Sequence, residues 1–251
     1  MSDPAGYESA EQLREYLLFH YGTRTEVLPW DFGPEGGLDF PVRCVDALVD
    51  KSSIDPSSRS LDVGCAVGRS AFELARYAGS VLGIDFSQSF VDAGNALVRE
   101  GQLSYEIVET GLLQHSATAR VPEDIDRTKV SFAQGDACHL DEALGRFEVV
   151  SAFNLLCRLP RPDAFLSKLP SLVSPGGQLV ITTPNTWLET FTAKAFWIGG
   201  TPETGEPLEA LRTHLEPDFV LEVVRDLPFL IREHKRKYQW SVAQATRWRR
   251  V

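Results

Sequence analysis

The chain has 251 residues, of which 43% are hydrophobic, and this is enough to bury one large core. Its 25 basic and 35 acidic residues give a formal net charge of -10, which argues against binding to the phosphate backbone of a nucleic acid. No segment approaches the ~18 apolar residues of a membrane span, and the N-terminus lacks the apolar stretch of a signal peptide. We therefore expect a cytoplasmic protein that acts on a small molecule, with no nucleic-acid or membrane partner.

The four cysteines lie far apart in the sequence, and no two of them have the C-x-x-C spacing of metal ligands. They are Cys44, Cys65, Cys138 and Cys157. This pattern predicts neither a disulfide framework nor a metal site, and the four side chains are expected to be reduced and packed.

Residues 1–58 precede the first predicted strand and contain two predicted helices. The first helix, over residues 9–21, begins at the capping-box pattern Ser9-x-x-Gln12 and stops at a glycine. A turn-rich loop follows over residues 23–37, and a second helix begins near Pro41, because proline fits the first turn of a helix. We expect residues 1–58 to form a helical lid over a ligand pocket; a plain surface elaboration is the alternative.

From residue 59 onward, short β-branched segments alternate with helical segments. We expect residues 59–251 to form the core of a single domain that spans residues 1–251. Five such segments predict a parallel, doubly wound sheet, and they cover residues 60–63, 80–85, 129–134, 147–153 and 178–183. Two final segments, 219–225 and 238–248, have no helix between them and predict an antiparallel hairpin at one edge. The connection over residues 101–128 is an insertion in this core, and its role at the pocket is left open.

A glycine loop follows the first predicted strand and opens the next helix, where small residues let a ligand approach the backbone. The dinucleotide pattern G-x-G-x-x-G is absent, because Ala66 takes the place of the middle glycine and Arg69 that of the last. S-adenosylmethionine has no phosphates and suits such a loop better than a dinucleotide. The predicted cofactor-binding residues here are Asp62, Gly64, Cys65, Ala66 and Gly68.

Three further strand ends carry residues suited to the same cofactor. Asp85 lies 21 positions after the first glycine of the loop, where a carboxylate accepts hydrogen bonds from both ribose hydroxyls, and Phe86 beside it is placed to stack on adenine. The third strand is followed by Asp136 and Ala137, which are suited to the adenine amino group and a ring nitrogen. Asn154 follows the fourth strand. Each residue alone has an ordinary structural explanation, such as a helix cap, whereas their order along the chain predicts a cofactor site.

The turn Ser174-Pro175-Gly176-Gly177 before the fifth predicted strand resembles the corresponding turn of class I S-adenosylmethionine-dependent methyltransferases. This resemblance implies an α/β, Rossmann-like, seven-stranded and mostly parallel sheet with an antiparallel last strand. S-adenosylmethionine is then the expected cofactor.

A narrower resemblance lies in the segment Thr183–Thr192, followed by Trp197-Ile198-Gly199-Gly200, with further similarity over residues 7–8, 16–22, 62–68 and 231–240. These segments resemble the thiohistidine N-methyltransferases of ovothiol biosynthesis, including the C-terminal domain of ovothiol synthase. The resemblance implies methyl transfer to an imidazole ring nitrogen of 5-thiohistidine, giving ovothiol A. No sulfoxide synthase module is present in the sequence, so a pathway partner is expected to supply the thiohistidine.

This resemblance guides the prediction of the substrate site. The predicted substrate-binding residues are Tyr21, Asn185, Trp187, Trp197 and Arg232. Arg232 is the candidate for a bidentate pair with the substrate carboxylate, and the tryptophans are candidates for walls around the ring.

A ring nitrogen attacks only with a free lone pair, so a nearby base is a reasonable expectation. His20, Glu189 and Glu233 are the candidates, and a structural hydrogen-bonding role is the alternative for each. The alternative functions are a methyltransferase for another small amino acid or amine, and a non-catalytic S-adenosylmethionine-binding protein. The glycine spacing disfavours a dinucleotide oxidoreductase. The sequence predicts no oligomeric state.

Overall fold

The computed structural model describes residues 8–251 and begins with the predicted N-terminal helix. Helix α1 spans Ala10–Tyr21. The Ser9 hydroxyl accepts a hydrogen bond from the Gln12 backbone N–H at 3.2 Å, so the predicted N-cap is present. The helix ends at Gly22, whose N–H donates to a carbonyl four residues earlier.

The segment 23–37 is not all loop, and that part of the prediction was wrong. It contains the one-turn helix α2 (Arg24–Val27), which begins at a complete capping box between Thr23 and Glu26. The two reciprocal hydrogen bonds of this box satisfy backbone donors that a one-turn helix would otherwise leave free. Helix α3 (Phe40–Leu48) then begins with a proline in its first turn, as predicted.

The remaining helices and the strands alternate along the chain. The helices are α4 (Arg69–Leu74), α5 (Gln88–Glu100), α6 (Pro162–Leu172) and α7 (Pro207–Leu215). The strands are β1 (Arg59–Val63), β2 (Ser80–Asp85), β3 (Gln102–Thr110), β4 (Leu113–Arg120), β5 (Val130–Gln134), β6 (Phe147–Phe153), β7 (Val173–Thr183), β8 (Phe219–His234) and β9 (Lys237–Arg250).

Seven strands form one sheet in the order β5-β2-β1-β6-β7-β9-β8. The first five of these are parallel, and β9 joins antiparallel between β7 and β8. This is the class I methyltransferase arrangement, so the predicted fold is confirmed. Consecutive residues Val149 and Val150 of β6 belong to two different buried clusters, one on each face of the sheet. Helices therefore cover both faces.

The edge hairpin of β8 and β9 is longer than predicted, with strands of 16 and 14 residues. Beyond the predicted end at residue 225, β8 contains Asp226 and Pro228, which are untypical of a central strand. Strand β8 lies at the edge of the sheet, where a proline removes no hydrogen bond from a second neighbour. The extension is important for the site, because it brings Phe229 and Ile231 to the cavity described below.

The insertion 101–128 forms the antiparallel hairpin β3–β4, which is separate from the main sheet. Its buried face, which includes Tyr105 and Ile107, packs into the same cluster as residues Leu17 and Leu18 of α1. The hairpin thus supports the N-terminal helix from behind.

All four cysteines are buried and unpaired. None of the helices within residues 8–251 has the length and apolar character needed to span a bilayer.

Candidate functional site

A cavity of about 590 Å³ opens at the carboxyl ends of β1, β2, β5 and β6, where ligands bind in open α/β sheets. Eight of the ten predicted cofactor-binding residues line it, and we call them the strand-end wall: Gly64, Cys65, Ala66, Asp85, Phe86, Asp136, Ala137 and Asn154. Other lining residues come from α1, from α3, from β8 and from the loops after β6 and β7. The cavity is therefore closed partly by the sheet and partly by the N-terminal segment.

The glycine loop between β1 and α4 adopts a conformation that excludes larger residues at two positions. Gly64 and Gly68 have φ of +70° and +86°, in the left-handed region that favours glycine. A Cβ atom on Gly68 would lie 2.2 Å from the ring of Phe132, which explains why this glycine packs the helix start although it does not line the cavity. Ala66 also has positive φ, at 47°, and turns its N–H toward the end of β2.

The carboxylate of Asp85 lines the cavity and is held by two backbone donors. It accepts hydrogen bonds from the N–H of Ala66 at 2.8 Å and from the N–H of Ser87 at 2.9 Å. Burial raises the pKa of Asp85 to about 6, against the opposing effect of these hydrogen bonds. The ring of the neighbouring Phe86 is 40% exposed and faces the same cavity, where it offers an aromatic surface.

Asp62 does not line the cavity and lies one layer behind the glycine loop. Its carboxylate accepts 2.6 Å hydrogen bonds from the hydroxyls of Ser70 and Ser151, which connects β1 to α4 and to β6. Burial raises the pKa of Asp62 to about 6. Its position indicates that it shapes the loop from behind.

The other strand ends also place polar groups at the cavity. Asp136 caps the turn after β5 by accepting from the Cys138 N–H at 2.8 Å. Asn154 has φ of 54°, and its side-chain oxygen accepts from the hydroxyl of Thr182 at 3.0 Å. A short polar side chain tolerates this left-handed conformation, which fixes the asparagine at the carboxyl end of β6.

None of the five predicted substrate-binding residues lines the cavity. Trp187 and Trp197 stack on one another with ring centroids 6.2 Å apart, and the indole N–H of Trp197 donates to the Thr192 carbonyl. Asn185 hydrogen-bonds within its own turn, to Thr183. The tryptophan segment does reach the cavity, but through other residues, namely Pro184, Thr190 and Phe191.

Tyr21 joins the N-terminal segment to the glycine loop. Its hydroxyl donates a 2.9 Å hydrogen bond to the carbonyl of Val67, in the glycine loop. On the other side of the segment, the Glu8 carboxylate accepts from the N–H groups of Gln88 and Ser89, at the first residues of α5. The N-terminal segment is thus attached both to the glycine loop and to the first residues of α5, which follow Asp85 in the sequence.

The guanidinium of Arg232 forms an ion pair and hydrogen bonds with other parts of the protein. It forms a 2.8 Å ion pair with Glu109 of the insertion hairpin and donates to the carbonyls of Glu26 and Val108. The side chain is 1% exposed. This position favours a structural role, because both terminal nitrogens of the guanidinium are already engaged and the side chain does not line the cavity.

Of the three candidate bases, only His20 lines the cavity. Glu233 pairs with Lys237 in the edge hairpin, and this hydrogen-bonded partner lowers the pKa of the carboxyl. Glu189 is exposed and does not line the cavity.

Sequence analysis did not identify two parts of the site. Arg158, in the loop after β6, is the only lysine or arginine that lines this cavity among residues 8–251. Its guanidinium lies 4.8 Å from the ring centroid of Phe191 and donates to the carbonyl of Thr186. Arg158 lies among the residues that directly follow Asn154 in the sequence, and this position after a predicted strand end is the signal that could have identified it.

The second part is an aromatic wall formed by Phe19, Phe40 and Phe229. Their ring centroids lie 5.0 to 6.2 Å apart, and all three line the cavity. These residues come from α1, α3 and β8. No local pattern in the sequence brings them together.

The groups that line the cavity fit S-adenosylmethionine. Asp85 offers a carboxylate for ribose hydroxyls, Phe86 offers an exposed ring face for adenine, and no group of cations is present in the lining for phosphates. Within residues 8–251, no group of three or more histidine, cysteine or acidic side chains is arranged to hold a metal ion.

Comparison with known proteins agrees with this fold. Residues 40–247 match the family described as "Methyltransferase domain". Methyltransferase GfsG of Streptomyces halstedii is 27% identical over 179 residues, which are 70% of this chain and 55% of that protein. The chain spans about half the length of the curated relatives it matches.

Two solved structures show the same fold over nearly the whole chain. Magnesium protoporphyrin IX methyltransferase (ChlM) from Synechocystis PCC 6803, with bound SAH, has a TM-score of 0.58 at 17% identity, covering 98% of this chain and 96% of that one. N-methyltransferase NodS from Bradyrhizobium japonicum WM9 has a TM-score of 0.57 at 15% identity, covering 97% and 98%. The family match covers most of the sequence. The chain therefore belongs to the methyltransferase domain family and has the fold of class I S-adenosylmethionine-dependent methyltransferases.

Proposed function

We propose that this enzyme methylates an imidazole ring nitrogen of 5-thiohistidine and so forms ovothiol A. The proposal combines the sequence resemblance with one structural observation: a single arginine, Arg158, lines the same cavity as the aromatic wall and Asp85. An amino acid with an aromatic ring has a carboxylate for the arginine and a flat face for the wall.

Arg158 takes the role that the sequence suggested for Arg232. A guanidinium binds a carboxylate through two parallel hydrogen bonds, which fix direction as well as position. Arg158 is half-buried and packs on the ring of Phe191, so its side chain is already ordered before a carboxylate arrives.

The aromatic wall places the ring of the methyl acceptor and excludes water. Bound S-adenosylmethionine supplies an electrophilic methyl group on a sulfonium. In-line displacement then requires the protein to hold the attacking nitrogen at near-attack distance. The substrate thiolate is a softer nucleophile than the nitrogen, so the carboxylate contact to Arg158 and the packing on Phe19, Phe40 and Phe229 must turn the sulfur away.

A second candidate is methylation of a hydroxyl group on an aromatic acceptor. The observation in its favour is the same wall of three phenylalanines, which would accept a phenolic ring equally well. Proteins named ubiquinone biosynthesis O-methyltransferase are among the relatives, at 25% identity over 125 residues for that of Coxiella burnetii (strain Dugway 5J108-111). In that case, Arg158 would contact a ring carboxylate or remain a loop anchor.

Turnover separates the two candidates. The purified protein is given S-adenosylmethionine with 5-thiohistidine, histidine or a phenolic acid, and formation of S-adenosylhomocysteine is measured. We expect turnover of 5-thiohistidine and almost none of histidine, because a pocket that binds the sulfur leaves polar groups unpaired when sulfur is absent. Mass spectrometry and NMR then locate the methyl group. Equal turnover of histidine, or methyl on sulfur, contradicts the proposal.

Arg158→Gln tests the carboxylate contact directly. We expect KM for the amino acid to rise about 10-fold or more, the loss of a charged hydrogen bond worth roughly 1.5–3 kcal/mol, with unchanged affinity for S-adenosylhomocysteine. Arg99→Gln, an exposed change on α5, is the matched control. An unchanged KM in the Arg158 variant removes this arginine from the acceptor site.

A further inference from the structure

The imidazole of His20 lines the cavity, and one of its two nitrogens has no partner within the protein. The Nδ1 atom is buried and forms no hydrogen bond with any group in the part of the chain that the structure describes. Tyr16, four positions earlier, lies on the same face of α1 as His20, and both Tyr16 and Phe19, the residue before His20, also line the cavity. Buried polar atoms are nearly always paired in native proteins, so an unpaired one at a cavity indicates a ligand contact.

Neighbouring aromatic rings restrict the orientation of this imidazole. The ring centroids of Phe19, Tyr16 and Tyr21 lie 5.4, 5.9 and 6.3 Å from that of His20. Helix α1 is itself fixed to the glycine loop by the hydrogen bond from the Tyr21 hydroxyl to Val67. A ligand therefore meets a ring whose position is set before binding.

The imidazole of His20 is uncharged in this environment. Burial lowers the pKa of His20 to about 3, and the positive charge of Arg69 acts in the same direction. A neutral imidazole has one N–H donor and one nitrogen lone pair. It can hydrogen-bond to a methyl acceptor without adding a second positive charge beside a sulfonium.

We propose that His20 accepts a hydrogen bond from the ring N–H of a nitrogen heteroaromatic methyl acceptor and so selects which ring nitrogen is methylated. A neutral imidazole ring carries its proton on one nitrogen and a lone pair on the other. When His20 holds the protonated nitrogen, the other nitrogen is left free for attack. This inference rests on the proposed function for its acceptor class and assigns the contact to a residue of the lid helix.

The first test compares His20→Phe, His20→Asn and the wild type with 5-thiohistidine. We expect KM to rise about tenfold in His20→Phe, as for the loss of one buried hydrogen bond, while affinity for S-adenosylhomocysteine is unchanged. His20→Asn retains a polar side chain and should recover part of the loss. His214→Phe, an exposed change on α7, is the matched control. An unchanged KM in both His20 variants, with wild-type turnover of 5-thiohistidine, overturns the proposal.

The second test needs no turnover. The chain has five histidines, so ¹⁵N-histidine labelling gives a small set of ring signals, and those absent from His20→Asn belong to His20. We expect 5-thiohistidine, added to the protein with S-adenosylhomocysteine, to shift the His20 nitrogen signals and leave those of His214 unchanged. Absence of a shift under saturating 5-thiohistidine contradicts the contact.

Failure of the proposed function and failure of the His20 proposal give different experimental results. If the wild type does not methylate 5-thiohistidine, the His20 proposal is tested with imidazole at millimolar concentration as the probe. A shift of the His20 signals that leaves those of His214 unchanged supports a heteroaromatic contact at this residue. No shift with imidazole overturns it.

Discussion

Asp85 is the residue of the strand-end wall at which the proposed role in cofactor binding is most directly tested. Its carboxylate is already oriented by the N–H groups of Ala66 and Ser87. It can accept further hydrogen bonds from a ligand in the cavity that it lines. We expect Asp85→Ala to weaken binding of S-adenosylhomocysteine by about 1.5–3 kcal/mol, roughly 10- to 100-fold in Kd, because the ribose hydroxyls lose a charged hydrogen-bond acceptor.

Isothermal calorimetry measures this change. Asp92→Ala, which removes an exposed acid from α5, is the matched control. Undiminished affinity in a folded Asp85 variant would remove this residue from the cofactor site.

The same carboxyl predicts a pH dependence of cofactor binding. Burial raises the pKa of Asp85 to about 6, so the charged form that accepts two hydroxyl donors is lost as the pH falls through that value. We expect the affinity for S-adenosylhomocysteine to fall between pH 7.5 and pH 5, and Asp85→Asn to bind weakly without this slope. A wild-type slope that persists in the asparagine variant would assign it to another group.

At the scale of elements, α1 both lines the cavity and contributes to the core. Leu17 and Leu18 are buried in the cluster beneath the sheet, whereas Tyr16, Phe19 and His20 line the cavity. Deletion of the whole helix would therefore expose core side chains as well as open the cavity. A single hydrogen bond gives a cleaner test of whether the lid holds the cofactor loop.

Tyr21→Phe removes that bond, between the Tyr21 hydroxyl and the Val67 carbonyl. We expect about 0.5–1.5 kcal/mol of binding free energy for S-adenosylhomocysteine to be lost, because the lid and the glycine loop become less tightly joined. Tyr238→Phe is the matched control, since the Tyr238 hydroxyl also donates to a carbonyl at 2.9 Å but lies in the edge hairpin. Equal losses in both variants would show that only general stability was affected.

The helices and strands could be predicted from the sequence where a local residue pattern determines their limits. The strands of the parallel sheet are β-branched runs bounded by turns, and β2 and β6 have the predicted limits. The capping box that forms α2 was overlooked among prolines and glycines. The extent of β8 depends on its position at the edge, which only the assembled sheet defines.

At the scale of the whole molecule, Arg232 connects three parts of the chain that are distant in sequence. It joins β8 to Glu109 in the insertion hairpin and to the carbonyl of Glu26 after α1. We expect Arg232→Ala to lower the free energy of unfolding by an amount toward the lower end of the ~3–5 kcal/mol typical of a broken buried pair, because Glu109 is partly exposed.

Urea denaturation measures the loss, and Arg158→Gln is the contrasting variant, because it should change KM and leave stability nearly unchanged. Wild-type stability together with a raised KM in Arg232→Ala would restore the substrate role that the sequence suggested.

The two walls of the cavity differ in how far the sequence predicted them. Carboxyl ends of parallel strands meet at one edge of a sheet, so Asp85, Asp136 and Asn154 were expected to lie together from strand order alone. The aromatic wall has no such rule, because Phe40 and Phe229 become neighbours only when α3 packs on β8. Arg232 was assigned to the substrate from its segment, and only the tertiary structure shows the competing partner Glu109.

The aromatic wall also implies an order in which the two walls form during folding. The strand-end wall is built from residues 64–154, which fold through relatively local βα units, whereas the aromatic wall needs α1 to meet β8. The hydrogen bond from the Trp30 indole to the Lys235 carbonyl, near this contact, closes a loop of 205 residues. Closing so long a loop is slow, since its entropy must be lost before the contacts form. A refolding chain should therefore gain cofactor affinity before it can retain a methyl acceptor.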